Sequence, residues 1–130
     1  MTAQIQQLTP ELTLERINEI PVLTLNHSVG SARIALQGAQ LLNWKPKGAE
    51  QDVFWLSDIE PFTQGVAIRG GVPLCYPWFG GVKQPSHGTA RLRLWQLSDY
   101  DLQANKVRLE FSLFSEYGVI EAKMKMEFTD

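Results

Sequence analysis

The strongest pattern in the sequence is an alternation of apolar and polar side chains with a period of two. It is clearest over residues 107–114, where every second side chain is apolar: Val107, Leu109, Phe111 and Leu113. The residues between them, Arg108, Glu110 and Ser112, are polar. This is the period of a β-strand with one buried and one solvated face, so the pattern predicts an amphipathic strand here.

The pattern returns over residues 120–128, after a turn predicted at residues 115–118. The residues expected on the inner face are Ile120, Ala122, Met124, Met126 and Phe128. Those expected on the outer face are Glu121, Lys123, Lys125 and Glu127. Two such strands joined by a turn indicate an antiparallel hairpin with one face against a core.

Shorter stretches rich in β-formers complete the set of predicted strands. They are residues 11–17, 20–25, 31–36, 40–44, 52–56 and 92–97. Pro21 suits the start of a strand, and the glycine of Gln37-Gly38-Ala39 marks a turn between two of them. About eight strands and no helix predict an all-β meander, folded as an antiparallel sandwich or barrel.

A different kind of segment, IRGGVPLCYPWFGGVKQPSHGTAR, occupies residues 68–91. Its two Gly-Gly pairs and three prolines exclude a helix. Its apolar side chains, among them Leu74, Trp78 and Phe79, argue against disorder. A long ordered loop in a compact domain is usually functional, so we interpret the segment as a binding loop.

Composition narrows the function classes. With 130 residues, 44% of them hydrophobic, the chain is long enough for one core and one domain, residues 1–130. A net charge of -2 and no basic cluster argue against nucleic acid as a partner. No apolar run is long enough for a membrane span, and the N-terminus is unlike a signal peptide, so we expect a cytoplasmic protein.

The residue types that hold metals and form disulfides are scarce. Cys75 is the single cysteine, which excludes an internal disulfide, and with only His27 and His87 a structural zinc site is not expected. Cys75 as a thiol nucleophile beside His87 is less plausible than Cys75 as a small buried residue, because no neighbouring charge would lower its pKa. We therefore expect no metal and no cofactor.

The loop motifs resemble a known family. AIRGGVPLCYPWFGG, then PSHGTAR, then Trp95, preceded by IALQGAQLLNWKP and DVFWLS, are similar to the hexose-6-phosphate mutarotases. These form the glucose-6-phosphate 1-epimerase branch of the aldose 1-epimerase family. The resemblance runs from about Ser31 to the end of the chain. Since members of that family are about twice as long, we expect this chain to be the N-terminal portion of a larger mutarotase domain.

The resemblance implies a galactose-mutarotase-like β-sandwich that binds a hexose 6-phosphate in an open cleft. It implies an isomerase that interconverts the α and β anomers by acid/base ring opening, without metal or nucleotide. The family's acid and base, a histidine and a glutamate, are expected beyond residue 130. The resemblance therefore places no catalytic residue within this chain, which alone is expected to be inactive.

The resemblance also implies which residues hold the substrate. Arg69 and Arg91 would bind the sugar phosphate, since guanidinium groups suit bidentate contacts with phosphate. His87 would line the pocket, and Ser86 stands where the family often has a glutamine that contacts sugar. Gly70 and Gly71 would let the backbone approach the ligand. Each has a plainer interpretation: the arginines could cap carbonyls, and His87 could hold the loop backbone.

Two alternatives to an enzyme portion stay open from sequence alone. One is a non-catalytic carbohydrate-binding β-sandwich module, and the other is a β-domain whose Gly/Pro loop is only structural. The chain stops directly after its last predicted strand, which would leave an edge of unpaired backbone groups. We expect such an edge to be covered by further protein or to allow self-association.

Overall fold

The computed structural model describes four stretches of the chain: residues 5–51, 62–74, 89–115 and 117–129. The strand predicted at residues 52–56 lies outside these described residues, as do Cys75, Trp78, Ser86 and His87. The two ends of the predicted loop, with both arginines, are described.

The first half of the chain forms a five-stranded antiparallel meander, in which each strand pairs with the next along the chain. Its strands are β1 (Ile5–Thr9), β2 (Leu12–Ile17), β3 (Ile20–His27), β4 (Gly30–Ala35) and β5 (Gln40–Pro46). The meander predicted from the spacing of the turns is thus confirmed. β1 was not predicted, because its sequence IQQLT carries little β-signal and becomes a strand by pairing with β2.

The second half forms a three-stranded antiparallel sheet of β6 (Gln96–Gln103), β7 (Lys106–Phe114) and β8 (Ile120–Thr129). The hairpin of β7 and β8 lies where the alternation predicts it. The strand predicted at residues 92–97 is wrong in position, since a 3₁₀ helix occupies Ala90–Leu92 and β6 begins at Gln96. Buried Trp95 explains the shift: its backbone N–H donates to Leu36 O (2.7 Å), which ties the approach to β6 to the first sheet.

The main core lies between the two sheets. Its buried residues come from β2, β3 and β4 on one side and from β7 and β8 on the other. The predicted inner face of β7 is fully buried. Trp44 of β5 and Phe128 of β8, with ring centroids 4.8 Å apart, join the two sheets at one edge. The all-β antiparallel sandwich is therefore confirmed.

The predicted inner face of β8 is buried only toward its C-terminal end. Met126 and Phe128 are buried, Ala122 and Met124 are half-buried, and Ile120 is 45% exposed. Ile120 directly follows the hairpin turn, where Val119 is also exposed, so this end of the strand extends past the core. Within the described residues β8 pairs with β7 alone and is an edge strand.

A second, smaller core covers one end of the opposite face of the five-stranded sheet. Phe62 and Ile68 pack there against Ile20, Val22, Ala35 and Leu42. Phe62 and Ile68 therefore lie on the outer face of the sheet, whereas Leu74 packs against the main core. We call residues 62–74 the arginine segment because they include Arg69. Among the described residues, no helix has the length and apolar character needed to cross a membrane.

Candidate functional site

The connection between β4 and β5 organises the region around both arginines. It runs over residues 36–39 and leads into Gln40, the first residue of β5. Gln37 and Gln40 are buried, with 0% and 1% of their surfaces exposed. A buried amide side chain must have hydrogen-bond partners, because leaving it unsatisfied costs the desolvation of its polar atoms.

Gln40 finds its partners on both sides of Arg69. Its Nε2 donates to the carbonyl oxygen of Gly70 at 2.6 Å and to that of Ile68 at 3.3 Å. These carbonyls belong to the residues immediately before and after Arg69. One buried side chain therefore holds both neighbours of an exposed arginine.

Gln37 holds the arginine segment a few residues earlier. Its Nε2 donates to Val66 O and its Oε1 accepts from Gly65 N–H, both at 2.8 Å. Both polar ends of one amide side chain are thus bonded to the backbone of two consecutive residues. The arginine segment is thus docked by two glutamines that lie three residues apart.

Gly71 brings the arginine segment into direct contact with β5. Val72 N–H donates to Leu41 O at 2.8 Å, and Gly71 has a φ of +66°. A Cβ atom on Gly71 would lie 2.0 Å from Leu41 O, so no side chain fits. Gly71 thus takes a positive φ that glycine permits, and its close contact is with backbone of the same chain. Its approach to a ligand stays a prediction.

The other side of the same connection holds Arg91. Gly38 N–H donates to Arg93 O at 2.8 Å, and a Cβ atom on Gly38 would lie 2.8 Å from Arg91 Cα. The 3₁₀ helix that contains Arg91 is further fixed by Trp95, whose Nε1 donates to Ala90 O at 3.0 Å. Arg91 is half-buried, and its Nε is buried.

The structure therefore docks the segments of both predicted arginines on one short connection. Arg69 lies in the arginine segment held by Gln40, and Arg91 lies in the helix packed on Gly38. Gly70 and Gly71 lie next to Arg69, with Gly70 at a φ of +127°. Ser86 and His87 lie outside the described residues.

Sequence reasoning treated Gln37 only as part of a turn and did not single out Gln40. A signal was present: two glutamines flank Gly-Ala between strands that are otherwise strongly apolar on either side. Polar side chains at the ends of buried strands, with no charge nearby, often bond to backbone that packs against them. Their partners, some thirty residues later, could not be read from the chain.

A separate charged cluster lies on the outer face of the three-stranded sheet. Arg108 bonds Glu110 and, through Nη2 at 3.2 Å, Asp99. The hydrogen bond from Arg108 lowers the pKa of Asp99 below its ordinary value of 3.8. This cluster is exposed and internally paired, which is typical of a solvated sheet face.

Within the described part of the chain, no group of three or more His, Cys, Asp or Glu side chains could hold a metal ion. His27 pairs with Glu11 there, whose Oε2 lies 3.7 Å from Nε2.

Comparison with known proteins identifies the lineage of this fold. Residues 21–130 match the family model for aldose 1-epimerase. The chain belongs to the aldose 1-epimerase family. The resemblance found in the loop motifs is thereby confirmed, and the match begins earlier in the chain, at residue 21 within β3.

Curated relatives of this chain include proteins named "Putative glucose-6-phosphate 1-epimerase". A Haemophilus influenzae protein of that name is 56% identical over 99% of this chain and 48% of its own length. An Escherichia coli protein is 46% identical over 84% of this chain and 38% of its own length. The chain thus spans about half the length, or less, of these curated relatives.

Two crystal structures show the same fold. That of HI1317 has a TM-score of 0.96 at 65% identity and covers 99% of this chain and 48% of its own. That of "a putative mutarotase (YeaD)" from Salmonella typhimurium has a TM-score of 0.81 at 46% identity, covering 85% and 38% respectively. The described sheets therefore correspond to one contiguous part of a larger family fold.

Proposed function

We propose that this chain is the substrate-holding part of a hexose-6-phosphate mutarotase, an isomerase that interconverts the α and β anomers of an aldose 6-phosphate. Membership of the aldose 1-epimerase family and the names of the relatives support the reaction class. The observation that carries the site is the docking of the Arg69 and Arg91 segments on one connection. Two arginines held by a shared scaffold suit a doubly charged phosphate.

In the proposed site the arginines do different work. Arg69 is exposed and can meet a ligand that arrives from solvent, whereas Arg91 is half-buried and its guanidinium group is less hydrated. A less hydrated guanidinium forms stronger charge-assisted hydrogen bonds, because less water competes for the phosphate oxygens. Gly70 and Gly71 border Arg69, and we retain His87 and Ser86 as proposed contacts to sugar hydroxyls.

The proposed chemistry is ring opening and closure. A base removes the proton of the anomeric hydroxyl, the bond from C1 to the ring oxygen breaks, and an acid protonates that oxygen. Rotation about the C1–C2 bond and reclosure then give the other anomer. We propose that the acid and base are supplied outside residues 1–130, and that the reaction takes place in the cytoplasm without metal or nucleotide.

A coupled anomerisation assay tests this function. α-Glucose 6-phosphate is mixed with a dehydrogenase specific for the β anomer, alone, with this chain, and with this chain joined to the remaining half of its Haemophilus influenzae relative. We expect the joined protein to accelerate anomerisation over water and the 130-residue chain to give little or no turnover. No acceleration by the folded joined protein would contradict the proposed reaction.

The role of Arg91 is tested in the joined protein. We expect Arg91→Ala to weaken glucose 6-phosphate binding by about 1.5–3 kcal/mol, because charge-assisted hydrogen bonds are lost. Arg16→Ala is the matched control, since Arg16 lies on β2, separated from β4 by β3. An unchanged Michaelis constant in Arg91→Ala would remove this residue from the site.

The second candidate function is a non-catalytic carbohydrate-binding module. Such a module would need the docked Arg69 and Arg91 segments, which both lie within this chain, and no acid or base. Binding of glucose 6-phosphate by the 130-residue chain, with no acceleration by the joined protein, would support this module over an enzyme.

A further inference from the structure

We propose that Gln40 is a positioning residue for Arg69, and that the connection from Gln37 to Gln40 sets the arrangement of the two phosphate-binding arginines. The inference rests on the function proposed above. It begins from the one side chain that bonds the backbone on both sides of Arg69, at 2.6 Å to Gly70 O and 3.3 Å to Ile68 O.

The chemistry of the amide group explains how Gln40 can do this. A glutamine Nε2 carries two hydrogens, so it can donate one to each carbonyl. The bond to Ile68 O restrains the peptide group between residues 68 and 69, and the bond to Gly70 O restrains the one between residues 70 and 71. Gln40 therefore restrains the backbone on both sides of Arg69, although the Arg69 side chain itself is exposed.

Fixing the backbone at Arg69 before a ligand arrives lowers the cost of binding. Ordering backbone and side-chain torsions on binding costs free energy. A backbone that is already fixed adds little to that cost. Gln37 and Gly71 extend this fixation, because they hold residues 65–66 and 71–72 on either side of the Gln40 contacts.

The same connection also sets the position of Arg91. Gly38 lies two residues before Gln40, and its backbone is in contact with that of Arg91, where a Cβ would meet Cα at 2.8 Å. The Arg69 and Arg91 segments thus contact Gln40 and Gly38, which are only two residues apart in the chain. A change at either point should alter the spacing between the two arginines.

A purely structural role for Gln40 makes a different prediction. Loss of its bonds would then lower global stability, and affinity for phosphate would fall only as far as the folded fraction does. A positioning role predicts weaker binding in protein that remains folded. It also predicts that the loss is selective for the phosphorylated sugar over the unphosphorylated one.

The experiment compares Gln40→Met with two controls in the 130-residue chain. Methionine keeps the length and volume of the side chain but cannot donate to the carbonyls. Gln96→Met changes an exposed glutamine on β6, and Val107→Ala lowers stability from the far side of the main core. Binding of glucose 6-phosphate and of glucose is measured by ¹H–¹⁵N NMR titration well below the melting temperature.

We expect Gln40→Met to bind glucose 6-phosphate about 5- to 10-fold more weakly, because the backbone that Gln40 no longer holds must then be ordered when the ligand binds. Glucose affinity should change less than twofold, about the level at which residues do not couple. Gln96→Met and Val107→Ala should bind both sugars like the wild type. The Arg69 Nε–H signal should shift with glucose 6-phosphate in the wild type and shift less in Gln40→Met.

The outcomes separate this inference from the proposed function. Suppose that the wild type binds glucose 6-phosphate. If Gln40→Met then binds it with the same affinity as the wild type, or if Val107→Ala loses as much affinity as Gln40→Met, the positioning role is wrong and the proposed function stands. No binding by the wild type would count against the function instead. The ligand-free signals of Gly70 and Gly71 then decide the positioning role: they must move in Gln40→Met and not in Gln96→Met.

Discussion

Gly71 is the residue whose identity the fold constrains most sharply. Its φ of +66° lies in the left-handed region, and a Cβ there would lie 2.0 Å from Leu41 O. The carbonyl is part of β5 and accepts a hydrogen bond from Val72, so it cannot easily retreat. Conformation and space therefore exclude a side chain independently.

The two constraints on Gly71 can be separated by comparison with Gly48, which has a φ of +81° and no atom within 4 Å of an added Cβ. We expect Gly48→Ala to lower the free energy of unfolding by about 1 kcal/mol, from backbone strain alone. Gly71→Ala should lower it by about 3 kcal/mol, because the clash adds to the strain. Urea unfolding measures both, and equal losses would show that the clash is relieved without cost.

Asp99, in the charged cluster on the three-stranded sheet, makes a pH-dependent contribution to stability. Its pKa is lowered mainly by a hydrogen bond from Arg108 and next by the Tyr100 backbone N–H. A carboxyl group whose pKa is lower in the folded state contributes stability above its unfolded pKa and loses it as pH falls through the folded value. The contribution of Asp99 is therefore present at neutral pH and is lost below about pH 3.8.

Replacing Arg108 should remove most of this effect. We expect Arg108→Gln to raise the pKa of Asp99 toward its ordinary value, as measured by NMR titration of the carboxyl carbon. Lys106→Gln is the control, because Lys106 is also on β7 but pairs with Glu127. An Asp99 pKa that is unchanged in Arg108→Gln would show that the hydrogen bond is not its cause.

At the scale of elements, the connection between β4 and β5 bonds to two segments that are distant from each other in the chain. Leu36 and Gly38 bond to the residues that precede β6, while Gln37 and Gln40 bond to the arginine segment. Such a connection belongs to the site as much as the loop does. Its role follows from backbone geometry rather than from any charged group.

Arg93 links the β4–β5 connection to the second sheet through hydrogen bonds. Its backbone carbonyl accepts from Gly38, its Nη1 donates to Glu121 Oε2 on β8, and its Nη2 donates to Phe114 O on β7, the last two at 2.6 Å. One residue therefore links the β4–β5 connection to the β7–β8 hairpin. The side chain is about one-third exposed, so its ion pair is partly screened.

Two substitutions divide the contribution of Arg93. We expect Glu121→Gln to lower the free energy of unfolding by less than about 1 kcal/mol, the usual range for an exposed ion pair. Arg93→Met should cost about 1–2 kcal/mol, because the bond to the Phe114 carbonyl is lost as well. Thermal or urea unfolding gives both values, and a larger loss in Glu121→Gln would reverse this assignment.

At the scale of the whole molecule, two antiparallel sheets share one core, and β8 forms an edge of the second sheet within the described residues. β8 has ten residues and pairs only with β7 within the described part of the chain. Its outer side chains are Glu121, Lys123, Lys125 and Glu127, and edge lysines weaken pairing with another strand. Within the described residues, the edge of β8 thus carries charges that disfavour tight pairing.

We expect this edge to give weak, concentration-dependent self-association of the 130-residue chain, detected by sedimentation velocity. Joining the chain to the remaining half of its Haemophilus influenzae relative should abolish the association if that half covers β8. A monomer at every concentration would contradict the expectation. Association that persists equally in the joined protein would place the contact elsewhere.

Much of the fold was determined by local sequence. The alternation in β7 and β8 specified strands and a buried face, because side chains of a strand point alternately to opposite sides. Where local signals are weak the prediction failed: β1 depends on β2, and residues 90–92 became a 3₁₀ helix because Trp95 is tied to Leu36. The conformations of β1 and of residues 90–92 depend on hydrogen bonds to other segments, and those bonds cannot be predicted from one segment alone.

The site divides in the same way. The motifs around Arg69 and Arg91 resemble those of the aldose 1-epimerase family and predicted membership of that family, which the family match confirms. Only the tertiary structure revealed that Gln40 holds the backbone of one arginine and Gly38 that of the other. A buried glutamine takes its partners from wherever packing places backbone carbonyls, and here that place is some thirty residues along the chain.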